Sequence, residues 1–220
     1  DIIRNSPGVV PVGDGLFQDR IFIRGLEVRS RDFRKNGFLD PTYTPRDFAN
    51  IERVEILKGP ASVVYGSSAP SGTVNFITKK PLDASFGVIG GQFGSWGLNR
   101  YTADVNGVIS EDHNIYARVN LAYEDADSYR DFGYTQRHLI APAVTWAPTA
   151  WTNIMAEAEF IENRRLGDQG LPALNGDARA YRYSVYAGEP ANDFIYTEDY
   201  RTSLVWTQKL DEDWTAQLGL

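Results

Sequence analysis

The feature that most constrains this chain is a period of two. From Phe86 onward, apolar and polar residues alternate over segments of about ten residues, the length of a tilted membrane-crossing strand. Ile115, Ala117, Val119, Leu121 and Tyr123 fall on one face, and Tyr116, Arg118, Asn120, Ala122 and Glu124 on the other. Tyr101, Ala103, Val105, Gly107 and Ile109 oppose Arg100, Thr102, Asp104 and Asn106. Ile154, Ala156, Ala158 and Phe160 oppose Asn153, Met155, Glu157 and Glu159. Successive side chains of a strand point to opposite sides, so each segment has one oily and one polar surface.

A soluble sandwich alternates as well, and three further features separate the two. The polar face carries full charges (Arg118, Glu157, Glu159), as a wet lumen allows. Connections alternate in length: short at Ser110–Asn114, Ala147–Thr152 and Leu210–Asp213, long near Asp125–Gln136 and Arg164–Thr197. Outer-membrane barrels have short periplasmic turns and long outer loops. Trp146, Trp151, Trp206 and Trp214 all stand beside the short turns, where an interfacial girdle places an indole with an apolar body and a wet N–H. About seven strands are expected: 86–94, 98–109, 115–125, 137–147, 152–163, 198–210 and 214–220. A membrane barrel must close, because an open edge strands backbone polar groups in hydrocarbon. Seven strands, the last running to Leu220, lead to the expectation that the sequence is cut at both ends.

Composition narrows the function classes. Cys is 0, which excludes a disulfide scaffold and a thiolate metal site. The two histidines, His113 and His138, lie far apart, so no histidine-based metal or catalytic site is expected. A net charge of −7 without a basic cluster argues against nucleic acid binding. There is no signal peptide pattern at Asp1–Asn5 and no apolar run of about 18 residues, but a β-barrel needs no such run.

The grammar changes near Pro81. Before it, short apolar strands (Val9-Val10, Ile21–Ile23, Val54–Leu57, Val74–Ile77) are separated by Gly, Pro and Asp. Gly59–Gly66 reads as a short helix with Pro60 in its first turn and Gly66 as its left-handed stop. The division expected is a small α+β module over 1–82 and an all-β transmembrane barrel from 83 to 220.

Ile51–Gly66 (IERVEILKGPASVVYG) and Ala69–Pro81 (APSGTVNFITKKP) closely resemble the plug signature of TonB-dependent outer-membrane receptors. Ser6–Val9, Ile21–Gly25 and Asn36–Phe38 stand upstream in the expected order, and the ending Lys79–Leu82 looks like the ferric-siderophore branch, of ferrichrome or pyoverdine type. Ser71-Gly72 stands where many members have paired glycines, and no TonB box is present. The resemblance implies a barrel of about 22 strands whose lumen is filled by the plug. It implies residence in the outer membrane of a Gram-negative bacterium, binding of a ferric siderophore outside, and import driven through TonB.

By the same resemblance, Arg24 and Lys58 occupy plug positions that bond acidic groups of the barrel wall, with Glu157 and Glu159 as partners available within this chain. Ligand-binding candidates lie in the plug segments 13–19, 28–34 and 40–46: Phe17, Arg29, Arg31, Phe33 and Tyr43. Arginine and aromatic side chains grip an anionic chelate with flat organic groups. The siderophore itself coordinates the iron, so no metal ligands or cofactor are expected of the protein. No G-x-S-x-G elbow or H-E-x-x-H pattern supports an enzyme. Glu157 and Glu159 share a strand face and need no catalytic reading. Three other readings stand beside this one: a receptor for cobalamin, haem or an oligosaccharide, a receptor that also signals through an extra N-terminal domain, and a soluble β-rich binding domain.

Overall fold

A computed structural model of the chain describes residues 6–13, 19–28, 32–40, 45–59, 71–168, 170–173, 175–177 and 180–220. Among these the regular structure is strand. The N-terminal part holds β1 (Val9–Gly13), β2 (Asp19–Ile23), β3 (Leu26–Val28), β4 (Phe33–Lys35), β5 (Phe38–Leu39), β6 (Ile51–Lys58) and β7 (Gly72–Thr78). The remainder holds β8 (Phe86–Phe93), β9 (Asn99–Ser110), β10 (Ile115–Asp127), β11 (Tyr134–Thr149), β12 (Thr152–Leu166), β13 (Phe194–Lys209) and β14 (Thr215–Gly219). The helix expected at 59–66 falls outside the described residues.

β1, β2 and β3 form one antiparallel sheet, and β5, β4, β7 and β6 a second. Val9, Ile21, Ile23 and Val28 from the first close over Phe33, Val74 and Phe76 from the second, giving the plug a shared apolar core. β7 is central, parallel to β4 and antiparallel to β6, and is buried along almost its whole length. β3, β4 and β5 have no counterpart among the strands expected from sequence, because two or three residues carry no readable period. What marks the β4–β5 hairpin is Asn36-Gly37. Both residues adopt positive φ, 51° and 87°, as a two-residue primed turn requires.

The seven remaining strands form a single antiparallel sheet in sequence order, β8 to β14. Their number matches the sequence reading, though most run longer than expected. β10 and β11 extend until only residues 128–133 separate them, which corrects the long loop read at Asp125–Gln136. The connection over 167–193 is long, as expected.

This sheet is inverted relative to a soluble one. Asn106, Arg118, Asn120, Thr145, Glu159 and Asn163 are buried, while Leu121, Tyr123, Ile140, Val144, Phe160 and Leu204 are exposed. The buried side faces the plug and the exposed side faces what lies outside the wall. Ile115, Trp146, Ile154, Trp206 and Leu218 form one cross-strand row at the short-turn end. Eight positions along β10, Tyr123 pairs with Tyr101 and His138. Their rings adjoin, Tyr101 stacking on Tyr123 at 6.4 Å and Tyr123 meeting His138 edge-on at 5.0 Å. The two rows are about 27 Å apart along the strand, shortened by tilt, against an apolar band of about 25 Å in membrane barrels.

Leu121→Arg, two residues inside the Tyr123 row, should therefore destabilise the inserted barrel by about 1–3 kcal/mol, between the interfacial and the midplane cost of a cation. Tyr116→Arg, on the lumen face of the same strand and only half-buried, tests the sidedness. Folded fraction in lipid vesicles, read by gel mobility without boiling, should fall more for Leu121→Arg.

Candidate functional site: the seam between plug and wall

The inward face of the wall meets the plug along a ladder of polar contacts that runs from the outer-loop end downward. The top row is Arg100 on β9, Glu124 on β10, Arg137 on β11 and Asn163 on β12, all in register. Into it the plug inserts Asp47. Arg100 donates from Nη2 to Oδ1 at 2.7 Å and from Nη1 to Oδ2 at 2.8 Å, while also donating to Glu124 Oε2 at 2.8 Å. Arg137 Nη1 lies 3.9 Å from Oδ2, and the Ala49 N–H donates to Oδ1 at 2.8 Å. Burial pushes the Asp47 carboxyl upward, but the bonds from Arg100 and Ala49, with the charges of Arg100 and Arg137, outweigh it and hold the group below the ordinary carboxylate value.

Below this row the seam turns dry for one step, where plug Ala49 packs on Ala122, Leu139, Ala141 and Ile161. The third row is ionic again. Lys79 donates to Asp104 Oδ2 at 3.0 Å, and Arg118 grips the same carboxylate from Nε at 2.8 Å and Nη2 at 2.7 Å. Glu159 accepts from plug Lys35 at 2.7 Å and plug Asn50, and from wall Arg201 at 3.1 Å. Arg201 also pairs with plug Asp40 at 3.1 Å.

In the lowest row Glu157 accepts from Asn36 Nδ2 at 2.9 Å, Thr78 Oγ1 at 2.8 Å and wall Ser203 at 3.0 Å. The Asn-Gly turn is what aims Asn36 there. Arg118 Nη1 donates to the Lys80 carbonyl at 2.9 Å, and Asn106 brackets Leu82, accepting from its N–H at 2.9 Å and donating to its carbonyl at 2.8 Å.

The seam changes in polarity on the way down. At the top, wall arginines hold the Asp47 carboxylate; lower, wall carboxylates hold plug lysines and amides, with Arg201 beside them still pairing plug Asp40. Each contact is one that water can replace, so the seam can hold the plug in register without the cohesion of a continuous apolar core.

The outer connections are joined to one another. Arg130 donates to Asp168 at 2.7 Å and to the Val185 carbonyl at 2.9 Å, and the Asp131 N–H donates to the Ser184 carbonyl at 2.7 Å. Tyr129 stacks on Tyr183 at 4.6 Å and meets Trp96 edge-on at 6.4 Å. A cavity of about 280 Å³ opens among Tyr129, Arg130, Leu171, Tyr181, Arg182 and Tyr183. Further along the long connection Tyr186 donates to Asp193 Oδ2 at 2.7 Å. Desolvation, with this bond and the neighbouring carboxylates, pushes the Tyr186 phenol up to about 12. The folded pKa is raised, so the bond's contribution is complete below the unfolded value of 10.0 and is lost as pH rises through about 12. A 295 nm absorbance titration, with Tyr186→Phe subtracted, should show one phenol ionising near 12.

Phe33 requires a correction: it was expected to bind ligand at the plug surface, but it is 2% exposed in the plug core, with the Arg46 guanidinium 4.4 Å above its ring. Phe17, Arg29, Arg31 and Tyr43 lie outside the described residues. Arg24 is exposed on the β2–β3 turn at φ 51°, and Lys58 donates to the Pro7 carbonyl at 2.6 Å within the plug. Among the described residues neither pairs with a wall carboxylate. Glu157 and Glu159 do hold the plug, through Lys35, Asn36, Asn50 and Thr78, none of which was expected from sequence as a wall contact. The available signal was Asn36-Gly37, whose obligatory turn fixes what lies beside it.

A wall polar inside and apolar outside, with the chain's own N-terminal part fastened in its lumen, defines a plugged membrane β-barrel. Residues 1–73 match the family model described as the TonB-dependent receptor plug domain. The chain is 38% identical over 173 residues to the metal-pseudopaline receptor CntO of Pseudomonas aeruginosa, covering 79% of this chain and 24% of that protein. It is 31% identical over 180 residues to the catecholate siderophore receptor Fiu of Escherichia coli, covering 79% of this chain and 23% of that one. The crystal structure of Fiu in its open form superposes with a TM-score of 0.85 at 25% identity, over 99% of this chain and 34% of the other. The chain belongs to the TonB-dependent receptors, and it spans about a quarter of the length of the curated relatives it matches.

Proposed function

We propose that this chain is part of an outer-membrane receptor of a Gram-negative bacterium that binds a ferric siderophore outside and imports it into the periplasm, energised through TonB. The observation that carries this reading is the seam. A plug held in an inverted barrel by exchangeable ion pairs, rather than by a continuous apolar core, is built to stay in place at rest and to be remodelled under force. The catecholate and ferric-pyoverdine receptors among its relatives supply the cargo class. Phe17, Arg29, Arg31 and Tyr43 are the plug-side candidates for cargo contact, and the outer cavity beside Tyr129 and Arg130 is the loop-side candidate. The metal is cargo held by its chelator, so the protein needs no metal ligands of its own.

One observation favours a second cargo. The relative at 38% identity is named a metal-pseudopaline receptor, a name that does not restrict the metal to iron. The test is uptake of radiolabelled metal by iron-starved, receptor-deficient cells expressing the complete gene, with and without working TonB. Iron uptake with one or a few siderophores that vanishes without TonB supports the reading. Uptake of another metal alone transfers it to the second cargo, and no metal uptake despite verified membrane insertion overturns both.

A further inference from the structure

We infer that the top row of the wall, Arg100, Arg137 and Asn163, is a second binding site for the anionic oxygen groups of the cargo, occupied at rest by the plug's own Asp47 carboxylate and uncovered when the plug moves. The inference rests on the transport reading above and adds a station inside the barrel to it.

Three observations converge on this row. Its residues stand on adjoining strands in direct register, Arg100 and Arg137 each opposite Glu124, and Arg137 opposite Asn163. The geometry around Asp47 is that of an anion site: a forked guanidinium contact at 2.7 and 2.8 Å, and a second guanidinium 3.9 Å away. Two-point contact of this kind is how arginine recognises planar oxyanions in general.

The row also has hydrogen-bonding capacity that the resting contacts leave unused. Asn163 is 0% exposed, yet neither its Oδ1 nor its Nδ2 has a partner, and the same is true of the buried Arg137 Nε. A buried amide with both ends unsatisfied is costly unless something polar fills the space beside it, whether ordered water at rest or an occupant in passage.

The charge balance supports an anionic occupant. At rest Arg100 and Arg137 are matched by Asp47 and Glu124. Withdrawing the plug removes Asp47 and leaves the row with one positive charge in excess. Ferric chelates present catecholate, hydroxamate or carboxylate oxygens, and any of these can replace a carboxylate on a guanidinium fork. Lower on the wall the carboxylates Asp104, Glu157, Glu159 and Asp199 outnumber the cations Arg118 and Arg201, so the balance turns negative. An anion held by the top row therefore meets repulsion below it rather than a deeper trap, which favours release over retention.

The binding test uses the complete receptor in detergent and 2,3-dihydroxybenzoate as probe, a small carboxylate bearing a catechol. Removing the resident carboxylate with Asp47→Ala should create probe binding at least tenfold tighter than in the wild type, measured by calorimetry. Adding Arg100→Gln should abolish the gain. Equal binding to Asp47→Ala and wild type, or a gain that survives Arg100→Gln, overturns the site. Asp47→Ser, which also removes the carboxylate and opens the space beside Arg100, carries the same expectation if the alanine variant does not fold.

The passage test is made in cells with the siderophore that the uptake panel identifies. Arg137→Gln, which leaves the forked Asp47–Arg100 contact in place, should lower the uptake rate severalfold with no change in surface binding affinity. An unchanged rate overturns the role in passage. A wild-type receptor that imports nothing overturns the transport reading while leaving the probe-binding result to stand or fall separately.

Discussion

Glu159→Ala should loosen the plug from the wall by about 3–5 kcal/mol, the cost of stranding charges when one partner of a buried ion pair is removed. Glu159 is 5% exposed and is the point where plug Lys35, plug Asn50 and wall Arg201 meet. Without it, two cations and an amide donor lose their acceptor in a space with little water. Arg201 retains Asp199 and Asp40, so the loss falls mainly on Lys35 and Asn50. Hydrogen exchange followed by mass spectrometry on the complete receptor should show β4 and residues 45–50 losing protection while β9 to β13 keep theirs. Unchanged exchange at β4 would show that the apolar plug core, not the seam, holds the plug in place. Glu159→Gln keeps one acceptor oxygen and should have a smaller effect of the same kind.

Gly72→Ala should cost the plug roughly 3 kcal/mol or more. The residue adopts φ 131°, where a side chain is strained by about 1–3 kcal/mol. A Cβ there would also stand 2.1 Å from the Leu57 carbonyl oxygen and 3.3 Å from the Gly59 nitrogen, both backbone atoms that no rotamer change can move. Relief requires prising β6 from β7 at the Lys58–Gly72 end of their ladder. Because β7 is the central strand of its sheet, the disturbance reaches Thr78 and its contact with Glu157. Exchange at β6 and β7 amides should rise in the variant, with Gly87→Ala, where an added Cβ meets nothing, as the neutral comparison. Wild-type protection in Gly72→Ala would show that the ladder end yields cheaply.

The two predictions probe different links. The first removes a contact between plug and wall and leaves each intact; the second deforms the plug and reaches the wall only through β7. The links to the wall are exchangeable polar contacts, whereas the plug's interior is a closed apolar core built on Phe33, Val74 and Phe76.

Much of this was legible in residue order. The alternation along β9, β10 and β12 gave strand existence, approximate length and sidedness together, because a period of two admits one assignment of faces. Charges on one face, with tryptophan beside the short turns, gave the orientation of those faces to lumen and lipid. The plug signature gave the family. The short strands β3 to β5 were not legible, being too brief to show a period, and the loop between β10 and β11 was overread because polar strand ends resemble loop.

Site residues fared differently. Glu157 and Glu159 were legible as lumen-facing, since facing is a one-dimensional property of a strand. Their partners were not, because Lys35-Asn36, Asn50 and Thr78 come from three separate plug segments that only folding gathers. Phe33 misled for the same reason: an aromatic flanked by Asp32 and Arg34 reads as surface, and only the packing of two small sheets shows it as core.

By itself, then, the sequence determined which residues face lumen and which face lipid, how many strands the wall segment has, and to which family the chain belongs. These follow from local periodicity and from motifs contiguous in the chain. The tertiary structure alone decided which plug residue meets which wall residue, where wall carboxylates join the seam, and that Asp47 fills a cationic row with unused hydrogen-bonding groups beside it. Those are pairings between residues far apart in the chain, 53 positions for Asp47 and Arg100 and as far as 124 for Lys35 and Glu159. Their energies depend on burial and charge neighbourhood, which no local pattern encodes.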